Sequence, residues 1–195
     1  MSTVFFDVDT QWDFLSPAGA LSVPGAAALT PRIAALNQWA SAHGLKVVST
    51  TDVHAEDDAE FRQWPAHCVA GTLGQQKPAG TLLEGRVALP STHGARVDLA
   101  MARQVLVEKQ HLDCFSNPNL LPLLGDLGAQ RYVLYGVVTE YCVRCAALGL
   151  LRTGARVEMV TDAIRSLDET AGEQMLAEFT AAGGVLITSA EVMSV

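Results

Sequence analysis

At 195 residues, with 49% hydrophobic residues and a formal net charge of −8, the chain is long enough for one well-buried core and short for two domains. Its acidic balance argues against nucleic acid or an anionic membrane surface as a partner. No run reaches the roughly 18 uninterrupted apolar residues of a membrane span. The opening MSTVFFDVDTQWDF has carboxylates inside its apolar run and no basic segment, so no secretory signal is expected. Four cysteines in such a chain read as reduced thiols of the cytoplasm, not as a disulfide framework.

In chain order, residues 4–8 form an apolar run expected as a first strand, ending at Asp9-Thr10-Gln11. Residues 20–23 suit a short hairpin arm before Pro24-Gly25. Residues 26–43 suit a helix, with Ile33, Leu36 and Trp39 on one side and Gly44 as its stop. Residues 45–51 are a second strand, running into Asp52-Val53-His54. The stretch 55–104 carries acidic residues, Trp64-Pro65 and several glycines with little periodicity. It reads as a long excursion over the sheet, and loops of that length are usually functional. Further strands are expected at 104–108, 132–138, 156–161 and 185–188, with helices at 119–127, from Thr139 onward, and at 167–182. Strands alternating with helices imply parallel pairing. The expected architecture is a single-domain three-layer α/β/α sandwich over residues 1–195, with a mainly parallel sheet of about six strands.

Chemistry collects at the strand ends. Asp9, the Asp52/His54 pair, Lys109 and Cys142 each follow an apolar run, and in a parallel sheet those ends share one edge, where ligands bind. Taken singly, Asp9 is as readily a strand-end cap, Lys109 a solvated surface lysine, and Cys142 a small buried hydrophobe. Together, a carboxylate, an ammonium and a thiol suit a nucleophile with its base and charge partner. Cys142 sits where a strand gives way to a helix, a position that favours the thiolate. Cys142-x-x-Cys145 also permits a redox reading, although no Trp or Pro shapes the motif. Cys68 and Cys114 read as structural. Asp52 and His54 lie on one side of an extended segment. With His67 and Glu60 they offer two imidazoles and two carboxylates, suited to Zn, Fe or Mn; the alternative is ordinary surface groups on an acidic loop.

The motifs Asp9-Thr10-Gln11-Trp12-Asp13-Phe14, Gly19-Ala20-Leu21, Pro24-Gly25-Ala26, Asp52-Val53-His54, Trp64-Pro65-Ala66-His67-Cys68-Val69 with Gly71-Thr72, the Lys109 strand end, and Gly136-Val137-Val138-Thr139-Glu140-Tyr141-Cys142-Val143 come in an order and spacing that resemble the isochorismatase-like cysteine hydrolases. Within them the chain is most similar to metal-containing nicotinamidases. The resemblance spans nearly the whole chain. It implies a triad of Asp9, Lys109 and Cys142, and an oxyanion site at the backbone N–H groups of Val138 and Cys142 beside a cis Val137–Val138 bond. It also implies a divalent metal, first of all zinc, on Asp52, His54, His67 and Glu60, where it meets the ring nitrogen of the substrate. Phe14, Trp64 and Phe115 match the aromatic residues that sandwich that ring. The activity implied is hydrolysis of a small planar amide, nicotinamide to nicotinate, in a homo-oligomer. A carbamoyl or ureido substrate and a non-catalytic binding module are the alternatives.

Two departures stand out. Asp7 occupies a position that is apolar in relatives and, by strand alternation, shares a face with Asp9. Either it is paired with a partner the sequence does not reveal, or it tunes the base. The segment 109–115, KQHLDCF, lacks the small-residue run common after this lysine, which bears on the substrate.

Overall fold

The computed structural model describes residues 2–194. The apolar runs become strands, and those at the centre of the sheet are buried on both faces, as a parallel sheet with helices on either side requires. They are β1 (Thr3–Val8), β2 (Lys46–Asp52), β3 (Arg86–Leu89), β4 (Gln104–Lys109), β5 (Arg131–Val137), β6 (Arg156–Arg165) and β7 (Val185–Ile187). The sheet has seven strands in the order β3-β4-β2-β1-β5-β6-β7, and every neighbouring pair is parallel. The expected count of about six falls one short. The added strand, β3, lies inside the excursion; it is four residues long, largely exposed and at the sheet edge, too short for its apolar residues to show a period.

Six α-helices cover the sheet among the described residues: α1 (Trp12–Leu15), α2 (Thr30–Ala42), α3 (Leu120–Leu127), α4 (Arg144–Leu151), α5 (Glu169–Ala181) and α6 (Ser189–Met193). Alternation along β1 sends Val4, Phe6 and Val8 to one core with Leu120 and Leu124 of α3, Ala147 and Leu150 of α4, and Phe179 of α5. Phe5 goes to the other core, with Ile33 and Leu36 of α2 and Val192 of α6. The long helix expected at 26–43 is divided. A 3₁₀ turn at Ala26–Leu29 precedes α2, which has Pro31 in its first turn, where the missing N–H costs nothing. Residues 20–23 form no strand; they fold back on α1, with the Leu21 and Val23 N–H groups donating to the Asp13 and Phe14 carbonyls.

Chain order reverses around β1: β2 and β4 lie to one side of it, β5 to β7 to the other. The crevice at the carboxyl ends of these central strands is the place for a ligand in such a sheet. Gly136 in β5 opens that region. Its φ of 127° and the approach of β1, where an added Cβ would lie 2.1 Å from the Val8 carbonyl oxygen, leave room for hydrogen only. Gly136→Ala is expected to lower stability by about 3 kcal/mol; urea unfolding with a loss below about 1 kcal/mol would contradict this reading of the β1–β5 contact.

Candidate active site

β1 stops at Val8, and Asp9 takes a left-handed backbone conformation with φ of 49°. The strand alternation expected to put Asp7 and Asp9 on one face therefore does not extend to Asp9. Thr50 donates to Asp9 Oδ1 at 2.6 Å, while Oδ2 lies 2.9 Å from Lys109 Nζ. Lys109, at the end of β4 and 1% exposed, also bonds Asp52 at the end of β2 and reaches Cys142 Sγ at 3.7 Å. Burial works against the Lys109 ammonium, but the carboxylates of Asp52 and Asp9 outweigh it and hold its pKa above the ordinary lysine value. Burial pushes the Asp52 carboxyl up to about 7 against the pull of Lys109. It also pushes the Cys142 thiol above its usual range, with Lys109 opposing. That direction runs against the thiolate expected from its position at a helix start, and Asp9 is the carboxylate beside it.

Cys142 lies in a π-helical turn, Thr139–Val143, between β5 and α4; such turns are frequent at functional sites. The Val137–Val138 peptide is cis, as the resemblance implies. Val138 and Cys142 both line one pocket. Its wall is almost wholly apolar, with Phe14, Trp64, Leu112 and Tyr141 among the lining residues and Asp52, His67 and Glu60 at one side. Tyr141 meets Trp64 edge to face with centroids 5.3 Å apart. Phe115 does not reach this pocket. Its ring packs on Gly149 of α4, where an added Cβ would come within 2.0 Å of it.

Asp52, His54 and His67 are all buried, and each offers one ligand atom within 4.8 Å of the others. The excursion brings His67 alongside through a parallel bridge of Val69 to His54. His54 Nδ1 lies 3.0 Å from Asp58 Oδ2 and His67 Nδ1 lies 2.8 Å from the Pro65 carbonyl. Both bonds place the proton on Nδ1 and leave Nε2 as the free lone pair. His54 Nε2 is buried with no hydrogen-bond partner, the state of a ring nitrogen that waits for an ion. Burial lowers the His67 pKa, a shift toward the neutral imidazole that can ligate. The donor set fits a divalent cation with Zn-type ligands. Glu60 stands half-buried at the pocket wall, outside this cluster.

Sequence reasoning missed several residues here. Gln11 clamps Asp52 from both sides, accepting from its N–H at 2.7 Å and donating to its carbonyl at 2.8 Å. Asp13 accepts from the Cys68 N–H at 2.7 Å and the Ala20 N–H at 2.9 Å. Both were visible only as members of a motif. Asp58 stood four residues after His54 within an acidic run, and Tyr141 next to Cys142; neither spacing singled them out. Asp7 has its partner: Lys77 Nζ lies 2.9 Å from Asp7 Oδ2.

A carboxylate, ammonium and thiol gathered at the carboxyl edge of a parallel sheet, with a buried imidazole–carboxylate cluster beside them, are a set of groups that suits hydrolytic chemistry in an α/β protein. The chain belongs to the isochorismatase domain family, whose model matches residues 3–191. It is similar to the nicotinamidase of Escherichia coli (strain K12), 25% identical over 94% of this chain and 93% of that one. Among solved structures it is similar to the pyrazinamidase of Pyrococcus horikoshii in complex with zinc, with TM-score 0.79 and 27% identity over 96% of this chain and 99% of that one. It is likewise similar to PnC1 of L. infantum in complex with nicotinate, with TM-score 0.76 and 28% identity over 97% and 93% of the two chains. No helix among the described residues is long and apolar enough to cross a membrane.

Because Asp58 fixes the His54 tautomer, Asp58→Ala is expected to weaken zinc binding by roughly 10–100-fold. Calorimetric titration of the metal-free chain measures it, and an unchanged affinity would remove Asp58 from the site. The raised Cys142 pKa predicts that its alkylation by iodoacetamide keeps accelerating as pH rises beyond about 8.5, the value for a free thiol; a plateau at or below neutral pH would show a resting thiolate.

Proposed function

We propose that the chain hydrolyses the C–N bond of a small planar amide, nicotinamide to nicotinate plus ammonia, with Cys142 as nucleophile. The observation that carries this reading is the single buried ammonium of Lys109 touching Asp9, Asp52 and Cys142 together. The mainly apolar pocket beside Cys142 supports an aromatic acyl group over an anionic one, since no Lys or Arg lines it.

Asp9 takes the thiol proton as Sγ forms a bond to the amide carbon. The oxyanion that results is met by the backbone N–H groups of Val138 and Cys142, and Lys109 holds the charges of Asp9 and Asp52 in balance. Asp9 returns the proton to the amide nitrogen, the C–N bond breaks, and ammonia leaves a thioester on Cys142. Water then attacks, giving a proton to Asp9, and as the C–S bond breaks Asp9 passes that proton to the leaving sulfur, which releases the carboxylic acid and restores the Cys142 thiol. Asp52, His54 and His67 would hold the metal, with Glu60 as the nearest further carboxylate and zinc as the first choice. When bound, the ion supplies a Lewis acid that anchors a ring nitrogen of the substrate. Phe14, Trp64 and Tyr141 confine the ring.

The test is ammonia release from nicotinamide by the purified chain, before chelation, after it, and after zinc is returned. Release that falls on chelation and comes back with zinc supports both the reaction and the metal. Release from other amides but not from nicotinamide would keep the hydrolase and overturn the substrate. Cys142→Ala should lower turnover by at least about a thousandfold with an unchanged melting curve; a well-folded variant that still turns over would remove Cys142 as nucleophile.

A further inference from the structure

Two groups of buried charges lie near the end of β1 among the described residues, and the site described above uses only one of them. The second lies between the sheet and α2. Asp7 is fully buried and Lys77 is 5% exposed. The Asp7 carboxylate is fully occupied: Oδ1 accepts from Thr10 Oγ1 at 2.7 Å, and Oδ2 meets Lys77 Nζ at 2.9 Å, Asn37 Nδ2 at 3.1 Å and Ser49 Oγ at 3.1 Å. Lys77 also donates to Thr10 Oγ1. Asp7, Thr10 and Lys77 thus close a three-membered ring of polar contacts.

That ring encloses the residue that matters. The Asp7–Thr10 bond bridges Val8 and Asp9, and Asp9 is the position at which the strand ends in a left-handed conformation, φ of 49°. Aspartate enters this region more readily than most non-glycine residues, and here its neighbours fix it there. Thr10, its immediate neighbour, is held from both ends of the ion pair. The same loop that carries Lys77 is laced to the following residues: the Trp12 and Asp13 N–H groups donate to the Gln76 and Gly74 carbonyls at 2.9 and 3.0 Å, and Gln11 Nε2 donates to the Gln75 carbonyl at 2.7 Å.

We infer that Asp7, Thr10 and Lys77 are positioning residues, a polar clip behind the sheet that holds the backbone of Asp9 so that its carboxylate faces Lys109 and Cys142. The inference rests on Asp9 being the general base of the proposed reaction. The clip touches neither substrate nor metal; its effect passes through one backbone turn. A base displaced by a fraction of an ångström loses proton-transfer geometry but not substrate contacts, so the loss belongs to kcat and not to KM.

The experiment uses the full zinc-loaded chain and an aromatic amide substrate, with rates taken per folded molecule from circular dichroism and melting curves. Thr10→Val keeps the shape and the Asp7–Lys77 pair but removes the hydroxyl of the clip. It is expected to lower kcat between about tenfold and a hundredfold with KM changed less than about twofold. Thr10→Ser, which restores the hydroxyl, is expected to recover most of kcat. Lys77→Met is a second probe and should slow kcat and the alkylation of Cys142 at neutral pH together. Wild-type kcat in folded Thr10→Val, or Thr10→Ser as slow as Thr10→Val, would overturn the clip. Asp9→Asn is measured alongside: wild-type rates in that variant would instead overturn the base assignment on which the clip depends, so the two failures are told apart.

Discussion

A lysine ammonium with 1% exposure is tolerable in a protein only if opposite charges are brought to it, because burying an isolated ion is prohibitively unfavourable. Lys109 meets that demand with Asp9 from the end of β1 and Asp52 from the end of β2, and its third contact is the Cys142 thiol beyond β5. Three strand ends and the turn into α4 are therefore tied to one cation. The parallel sheet puts these ends at one edge; the ammonium decides how closely they approach.

Asp52 belongs to two constellations at once. Oδ1 bonds Lys109, and Oδ2 lies 3.9 Å from His67 Nε2, so one carboxylate of the candidate metal cluster also touches the candidate triad. Gln11 holds the Asp52 backbone on both sides, and Asp13 ties the Cys68 N–H, next to His67, back to the first turn. The turn that follows β1 thus carries the proposed base and also fastens the excursion from which His67 comes. This explains why two glycines cannot grow: an added Cβ at Gly74 would lie 2.1 Å from the Asp13 carboxylate, and one at Gly19 2.2 Å from the Asp13 carbonyl oxygen.

Much of this was legible in the residues themselves. Apolar runs such as 45–51 and 132–138 announced buried strands, and reactive groups placed just after them pointed to one edge. Asp52-x-His54 suggested a ligand pair, which the bridge from His54 to Val69 completes with His67. What escaped has physical reasons. β3, four residues at the sheet edge, is too short to show a period. Phe115 follows Lys109 closely in sequence, but the 3₁₀ turn Cys114–Ser116 turns its ring onto Gly149. Asp7 looked like a companion of Asp9 because period-two alternation was carried one residue past the end of the strand.

The sequence alone determined what depends on local pattern: strand against helix from the period of apolar residues, parallel pairing from their alternation, and a shared edge for Asp9, Asp52, Lys109 and Cys142. Only the tertiary structure decided which buried charges pair. Lys77 is 70 residues beyond Asp7 and Lys109 is 100 beyond Asp9, so spacing along the chain gives no hint of which lysine meets which carboxylate. That choice follows from the strand order, which sets β4 beside β2 and β2 beside β1, and from the requirement that each buried ion find its counter-charge where the backbone leaves it.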